Sequence, residues 1–217
     1  MTCLFVDVQL IFRGVDMAMG KMILREIIEW IVVFATAFIL VALLNTAVFA
    51  TTQVRQTSMQ DTLMEGQHLF VEKLSYAFGD PSRGDIIVFI EDEYPENYVA
   101  RVRLFLRDVS DILKPIEQKT NVRLVKRVIG IPGDKIDIRN GMVYVNGEEL
   151  PESYTKGKTN QREFTFPVTV PEGKYIVLGD NREVSKDSRT FGFIDRSQVE
   201  GKAVFRFWPL NKAGTLH

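Results

Sequence analysis

From Trp30 to Ala50 the chain reads WIVVFATAFILVALLNTAVFA, an uncharged run whose clearly polar members are Asn45 and Thr46. A helix rises 1.5 Å per residue, and about 20 apolar residues cross the hydrocarbon core of a bilayer. The run therefore predicts a membrane-spanning helix over 27–50. Two other readings fit the same pattern. One is a buried core helix. The other is a cleaved signal peptide, because Val48-Phe49-Ala50 offers small residues at suitable spacing. Against the latter, the run exceeds the roughly 7–15 apolar residues of a signal peptide, and a long segment precedes it. Lys21 and Arg25 lie just before the run, Arg13 further out, and Arg55 is the nearest positive residue after it. That asymmetry favours a cytoplasmic segment over 1–26 and an outward domain over 51–217. MTCLFVDVQLIF at the front is apolar but too short to span; Met17, Met19 or Met22 could serve as the start, and residues 1–20 receive no role.

Beyond the run the pattern shortens to β-like segments. Residues 67–73, 85–91, 122–129 and 174–178 are rich in β-branched and aromatic side chains. Lys135-Ile136-Asp137-Ile138-Arg139 alternates polar and apolar positions, then come Asn140-Gly141, Met142-Val143-Tyr144-Val145 and Asn146-Gly147. Asn-Gly between alternating runs predicts a tight hairpin, since both turn positions need positive φ. Residues 201–207 predict a last strand, stopped by Trp208-Pro209. The exception is 92–121, where Val99, Val102, Leu106, Val109, Ile112 and Leu113 recur at helical spacing among arginines and aspartates. An amphipathic helix over 99–116 is expected there, inserted between two strands. It either covers one end of a sheet or touches lipid or the translocation machinery.

Composition narrows the chemistry. The formal net charge of −1 gives no basic field for nucleic acid. One cysteine, Cys3, rules out an intrachain disulfide, and two histidines, His68 and His217, rule out a multi-histidine metal site. Neither metal nor cofactor is expected. A serine hydroxyl attacks only when a base takes its proton. Histidine is the usual base, but His68 sits in a candidate strand with no motif around it. Lysine is the alternative. It must be neutral to act, and burial among apolar side chains lowers its pKa by penalising the charged form. Lys126 stands in Leu124-Val125-Lys126-Arg127-Val128-Ile129. In a strand it shares a face with Leu124 and Val128, while Arg127 points the other way. An exposed lysine on an edge strand fits the same local pattern.

Three blocks follow the apolar run in order. They are Thr57-Ser58-Met59-Gln60-Asp61-Thr62-Leu63, then Val125-Lys126-Arg127-Val128-Ile129-Gly130-Ile131-Pro132-Gly133-Asp134, then Gly179-Asp180-Asn181-Arg182-Glu183-Val184-Ser185-Lys186-Asp187-Ser188-Arg189. Together with Arg83-Gly84-Asp85, and over roughly residues 21–209, the chain resembles the bacterial type I signal peptidases, or leader peptidases. The resemblance implies a mainly β fold: a signal-peptidase-like folded β-sheet catalytic domain behind a single N-terminal transmembrane helix. It implies a serine endopeptidase of the plasma membrane that removes signal peptides from exported preproteins after small residues. Signal peptides and the lipid bilayer are then its partners. Carried over residue by residue, Ser58 falls on the nucleophile and Lys126 on the general base. Ser185 falls on the serine that hydrogen-bonds the lysine, and Asp187 and Arg189 on a charged pair bracing the site.

Two positions depart from the family pattern. Where some members place an oxyanion-binding serine, this chain has Gln56, whose amide could donate instead. Where proline usually stiffens the turn, it has Asp61, which can form an Asx turn. Substrate is expected as an added strand, its small side chains entering shallow pockets walled by Val54, Met59, Leu124 and Val125. A Ser–Lys self-cleaving domain like those of SOS repressors is an alternative, though no DNA-binding segment is visible. So is a membrane-tethered β-rich binding module or an inactive relative.

Overall fold

The computed structural model describes residues 3–90, 97–110 and 123–216, apart from the side chains of 3–19, Tyr98 and Asp108. Its two compact units are Met1–Leu44 and Asn45–His217. Helix α1 runs Cys3–Ala47, and its stretch Gly20–Ala47, 28 residues, is long and apolar enough to cross a membrane. Trp30, Phe34 and Ile39 are exposed along it, which sets aside a buried core helix. The apolar run reaches Ala50, yet α1 stops at Ala47. Strand β1 (Phe49–Gln53) begins there because its backbone finds partners in β2 (His68–Glu72), with Phe49 opposite Glu72 and Ala50 opposite Val71. Cleavage after Ala50 would cut through this paired strand, which argues against the cleaved-peptide reading.

Helix α2 (Leu74–Phe78), β3 (Ile86–Ile90), α3 (Tyr98–Ser110) and β4 (Arg123–Gly130) follow. Then come β5 (Lys135–Arg139), β6 (Met142–Val145), β7 (Glu148–Glu149), β8 (Val168–Thr169) and β9 (Lys174–Leu178). The chain closes with α4 (Ser188–Phe191), β10 (Ile194–Asp195), β11 (Val199–Trp208) and β12 (Gly214–Thr215). The larger sheet has the order β1-β2-β11-β3-β4-β9-β10, with β12 on β11, and the smaller the order β7-β6-β5-β8; every named pairing is antiparallel. The fold is mainly β, as expected. Asn140 (φ 55°) and Gly141 (φ 82°) join β5 to β6 as the Asn-Gly rule requires.

Alternation sorts the core. In β3 and β4, Ile86, Val88 and Val125 pack with Val54, Met59, Leu63 and Leu69. Ile87, Phe89 and Val128 take the other face with Tyr175 and Val177. Further along, Ile129, Ile176 and Leu178 meet Ile136, Ile138 and Val143 of the smaller sheet. From Val125 onward β4 is buried on both faces, so every polar side chain it carries there must find a partner inside the protein. Helix α3 matches the expected amphipathic helix as far as Ser110; positions 111–116 lie outside the described residues. Leu104 packs on Ile90 at the end of β3, while Val99, Leu106 and Val109 are exposed.

Candidate active site

Ser58 sits in a single 3₁₀ turn, Thr57–Met59, that follows an extended approach through Gln56 (φ −123°, ψ 153°). The turn is held from below. Met59, 1% exposed, plugs into the apolar cluster with Val54 and Val125, and Leu63 N–H donates to its carbonyl at 2.7 Å. Burying that side chain fixes the serine beside it. Lys126 comes from β4, opposite Ile87 of β3. It is wholly buried, not an exposed edge lysine. Its Nζ lies 2.8 Å from Ser58 Oγ and donates to the Val125 carbonyl at 3.1 Å. Burial pushes the lysine down from 10.5 to about 8, although the charges of Asp187 and Asp180 pull the other way. A serine hydroxyl and a lysine of lowered pKa thus share one hydrogen bond.

The segment 179–189 wraps this pair. A Cβ on Gly179 would lie 2.4 Å from the Ser58 carbonyl oxygen and 2.2 Å from Ser185 Oγ, so only glycine lets the backbone pass. Asn181 N–H then donates to the Ser58 carbonyl at 3.0 Å, and its side-chain amide to the Thr57 carbonyl at 3.3 Å. Asp180 accepts two bonds from Arg127, at 3.0 and 2.8 Å, and one from Thr62 Oγ1 at 2.6 Å. Asp187 accepts from Arg189 Nε at 2.9 Å and Nη2 at 2.8 Å, and from Gly179 N–H at 3.0 Å. Burial works against the Asp187 charge, but those bonds and the Arg189 guanidinium hold its carboxyl below the usual range.

Because Asp187 raises the lysine's pKa, Asp187→Asn is expected to move the midpoint of the pH–activity curve below that of the wild type. Initial rates of peptide cleavage between pH 6 and 10 check this; an upward move would contradict the electrostatic balance described above.

Several expectations need correction. Ser185 is fully buried beside Gly179, but the lysine's bonds go to Ser58 and Val125 rather than to its hydroxyl. Leu124 does not line the serine's cleft. Strand alternation turns it to the face opposite Val125, against the cluster of Ile87, Phe89 and Val128. Arg127 does point away from the lysine's face, yet into protein, where Asp180 meets it and the Tyr154 ring stacks 3.9 Å from it. Asp61 is exposed, with Lys156 3.4 Å away at the surface.

The cleft beside Ser58 measures about 90 Å³ and is lined in part by Val54, Gln56, Met59 and Val125. The Gln56 side chain does not cap the turn. Arg55 and Arg123 line the cleft as well, and sequence reading missed both. A hint existed for Arg123: by the period of two it shares Val125's face.

The chain is similar to known proteins. The family profile described as signal peptidase, peptidase S26 matches residues 27–208. Signal peptidase IB of Staphylococcus aureus (strain COL) is 35% identical over 204 residues, 87% of this chain and 93% of that protein. The probable signal peptidase I-2 of Synechocystis sp. is 37% identical over 181 residues, 83% of this chain and 73% of that protein. A crystal structure of a signal peptidase I from Enterococcus faecalis V583 is 32% identical, with a TM-score of 0.36, covering 57% of this chain and 97% of that one. Since the matched span runs from within α1 to the end of β11 and so takes in the serine, the lysine and the loop around them, the chain belongs to the peptidase S26 family of signal peptidases, the serine proteases that remove signal peptides from preproteins.

Proposed function

We propose that Ser58 is the nucleophile and Lys126 the general base of a Ser–Lys dyad that cuts preproteins after small residues, at junctions of the Ala-X-Ala type. The observation carrying this is the 2.8 Å contact between Nζ and Oγ around a fully buried lysine. The neutral amine takes the Oγ proton as the oxygen attacks the scissile carbonyl carbon. The resulting oxyanion is held by the Ser58 N–H, with the Gln56 amide as second donor. Lys126, now an ammonium, gives its proton to the leaving amine. Water, deprotonated by the same lysine, then releases the acyl chain from Ser58. Ser185, Asp187 and Arg189 hold the loop around the dyad.

Val54, Met59 and Val125 wall a cleft of about 90 Å³, which suits small side chains better than bulky ones. The apolar part of α1, ending at Ala47, serves as the anchor, with 1–26 cytoplasmic and the sheet-bearing domain outside the plasma membrane. Anchoring keeps the cleft at the bilayer surface, where preproteins emerge from the translocation machinery, and so raises their effective concentration.

The test is cleavage of a peptide carrying an Ala-X-Ala junction by the detergent-solubilised full chain, beside Ser58→Ala and Lys126→Ala. Cleavage after the second alanine, lost in both variants, is expected. Cleavage that survives in either would overturn the dyad.

A further inference from the structure

The cleft wall carries a charge pattern that the chemistry at Ser58 does not use. Among its described lining residues are Arg55 and Arg123, and no carboxylate. Arg55 is exposed on the approach to the serine turn. Arg123 is fixed from behind. Its Nε donates to Glu200 Oε2 at 2.5 Å and its Nη2 to Oε1 at 3.3 Å. The Glu200 side chain is 1% exposed, and Lys73 Nζ holds its other oxygen at 3.1 Å. One buried carboxylate therefore aligns two cations. Such a guanidinium is a built part of the wall and not a mobile surface side chain.

Position along the cleft follows from strand geometry. Arg55 stands three residues before Ser58, and Arg123 three before Lys126. Three residues of extended backbone span about 10 Å, which sets the Arg123 backbone roughly that far from the Lys126 backbone in β4. A substrate strand lying along the same wall reaches that point three to four residues from its scissile bond. The third residue is the small one, so the fourth meets the arginines.

We propose that Arg123, fixed by Glu200 and assisted by Arg55, is a specificity-determining residue that selects for an acidic and against a basic side chain at the fourth position before the cut. This rests on the reading of the Ser58 cleft as the substrate cleft.

The test uses the detergent-solubilised full chain and three Ala-X-Ala peptides that differ at the fourth position before the cut, carrying Glu, Gln or Lys. For wild type, kcat/KM is expected to rank Glu over Gln over Lys. The Glu-to-Lys ratio should be about 10 at low ionic strength and shrink as salt is raised. Arg123→Gln should bring the ratio within about twofold of unity, and Arg123→Lys should retain most of it. Were Arg123 only a structural brace, its loss would slow all three peptides equally and leave the ratio standing, which overturns the proposal. Arg55→Glu, an exposed change, carries the same test if Arg123→Gln does not fold: the ratio must fall. A ratio near one in wild type, with brisk cleavage of all three peptides, sinks this inference and leaves the dyad intact. No cleavage of any peptide by wild type overturns the dyad reading and the inference with it.

Discussion

Lys126→Met is expected to lower cleavage by at least about 1000-fold and, in the same protein, to raise stability at pH 7. Both effects come from the desolvation of one amine. A lysine whose pKa falls from 10.5 to about 8 on folding must be charged inside the protein at any pH below 8. Each unit corresponds to about 1.4 kcal/mol, so the folded state bears roughly 3 kcal/mol of unfavourable charge burial there. Methionine nearly matches the volume and carries no charge. The gain should be full below pH 8, shrink between 8 and 10.5, and vanish above that range, where the amine is neutral in both states. Urea denaturation of the two proteins at pH 7 and pH 10.5, together with peptide cleavage, checks this. A less stable variant at pH 7, or one that still cuts, would contradict it. On the proposed dyad, the wild type's own activity should rise through pH 8 as the neutral amine appears.

The second large effect concerns stability more than chemistry. Asp180→Ala strips the counter-ion from Arg127, which is 2% exposed, and takes the acceptor from Thr62 Oγ1 as well. A buried guanidinium without its carboxylate typically costs about 3–5 kcal/mol. Stacking on Tyr154 offsets a small part of that. The double variant Arg127→Met/Asp180→Leu removes both charges and should lose less than Asp180→Ala alone. Denaturant midpoints for Arg127→Met, Asp180→Leu and the double supply the coupling energy. If the double loses the sum of the singles, the pair is not the source of the cost. Cleavage by Asp180→Ala should also fall, because its neighbours Gly179 and Asn181 position the Ser58 carbonyl.

What could be read in the residues was whatever has a short period or a fixed local geometry. The alternation in β5 and β6 and the Asn-Gly turn between them are self-contained, and the structure reproduces them. The two-residue strands β7, β8, β10 and β12 carry no pattern of their own; their partners create them. β1 was hidden for a different reason. Its first residues prolong the apolar run, and pairing with β2 rather than hydropathy ends the helix. At the site, a buried Lys126 was one of two readings that its apolar neighbours allowed, beside an exposed edge lysine. Ser58 was legible only as part of a block, since an isolated serine has no signature. Arg127 and Asp180 were both in view, but nothing in a linear sequence says that two charges 53 residues apart neutralise one another. Leu124 and Val125 show the limit of adjacency: one step along a strand changes the face, and of the two Val125 lines the cleft.

The closeness of Gly179 to two different neighbours also restricts how this chain can vary. A tight contact with a side chain can be relieved by a smaller partner, and Ser185→Gly would clear one of the two obstacles to alanine at 179. The other obstacle is the carbonyl oxygen of Ser58, 2.4 Å from where the methyl would sit. Peptide oxygens are common to all residues, so no exchange elsewhere in the sequence shrinks it. Position 179 therefore has no compensated mutational route. A designer grafting this loop onto another scaffold can redraw most of it but must keep that one residue bare.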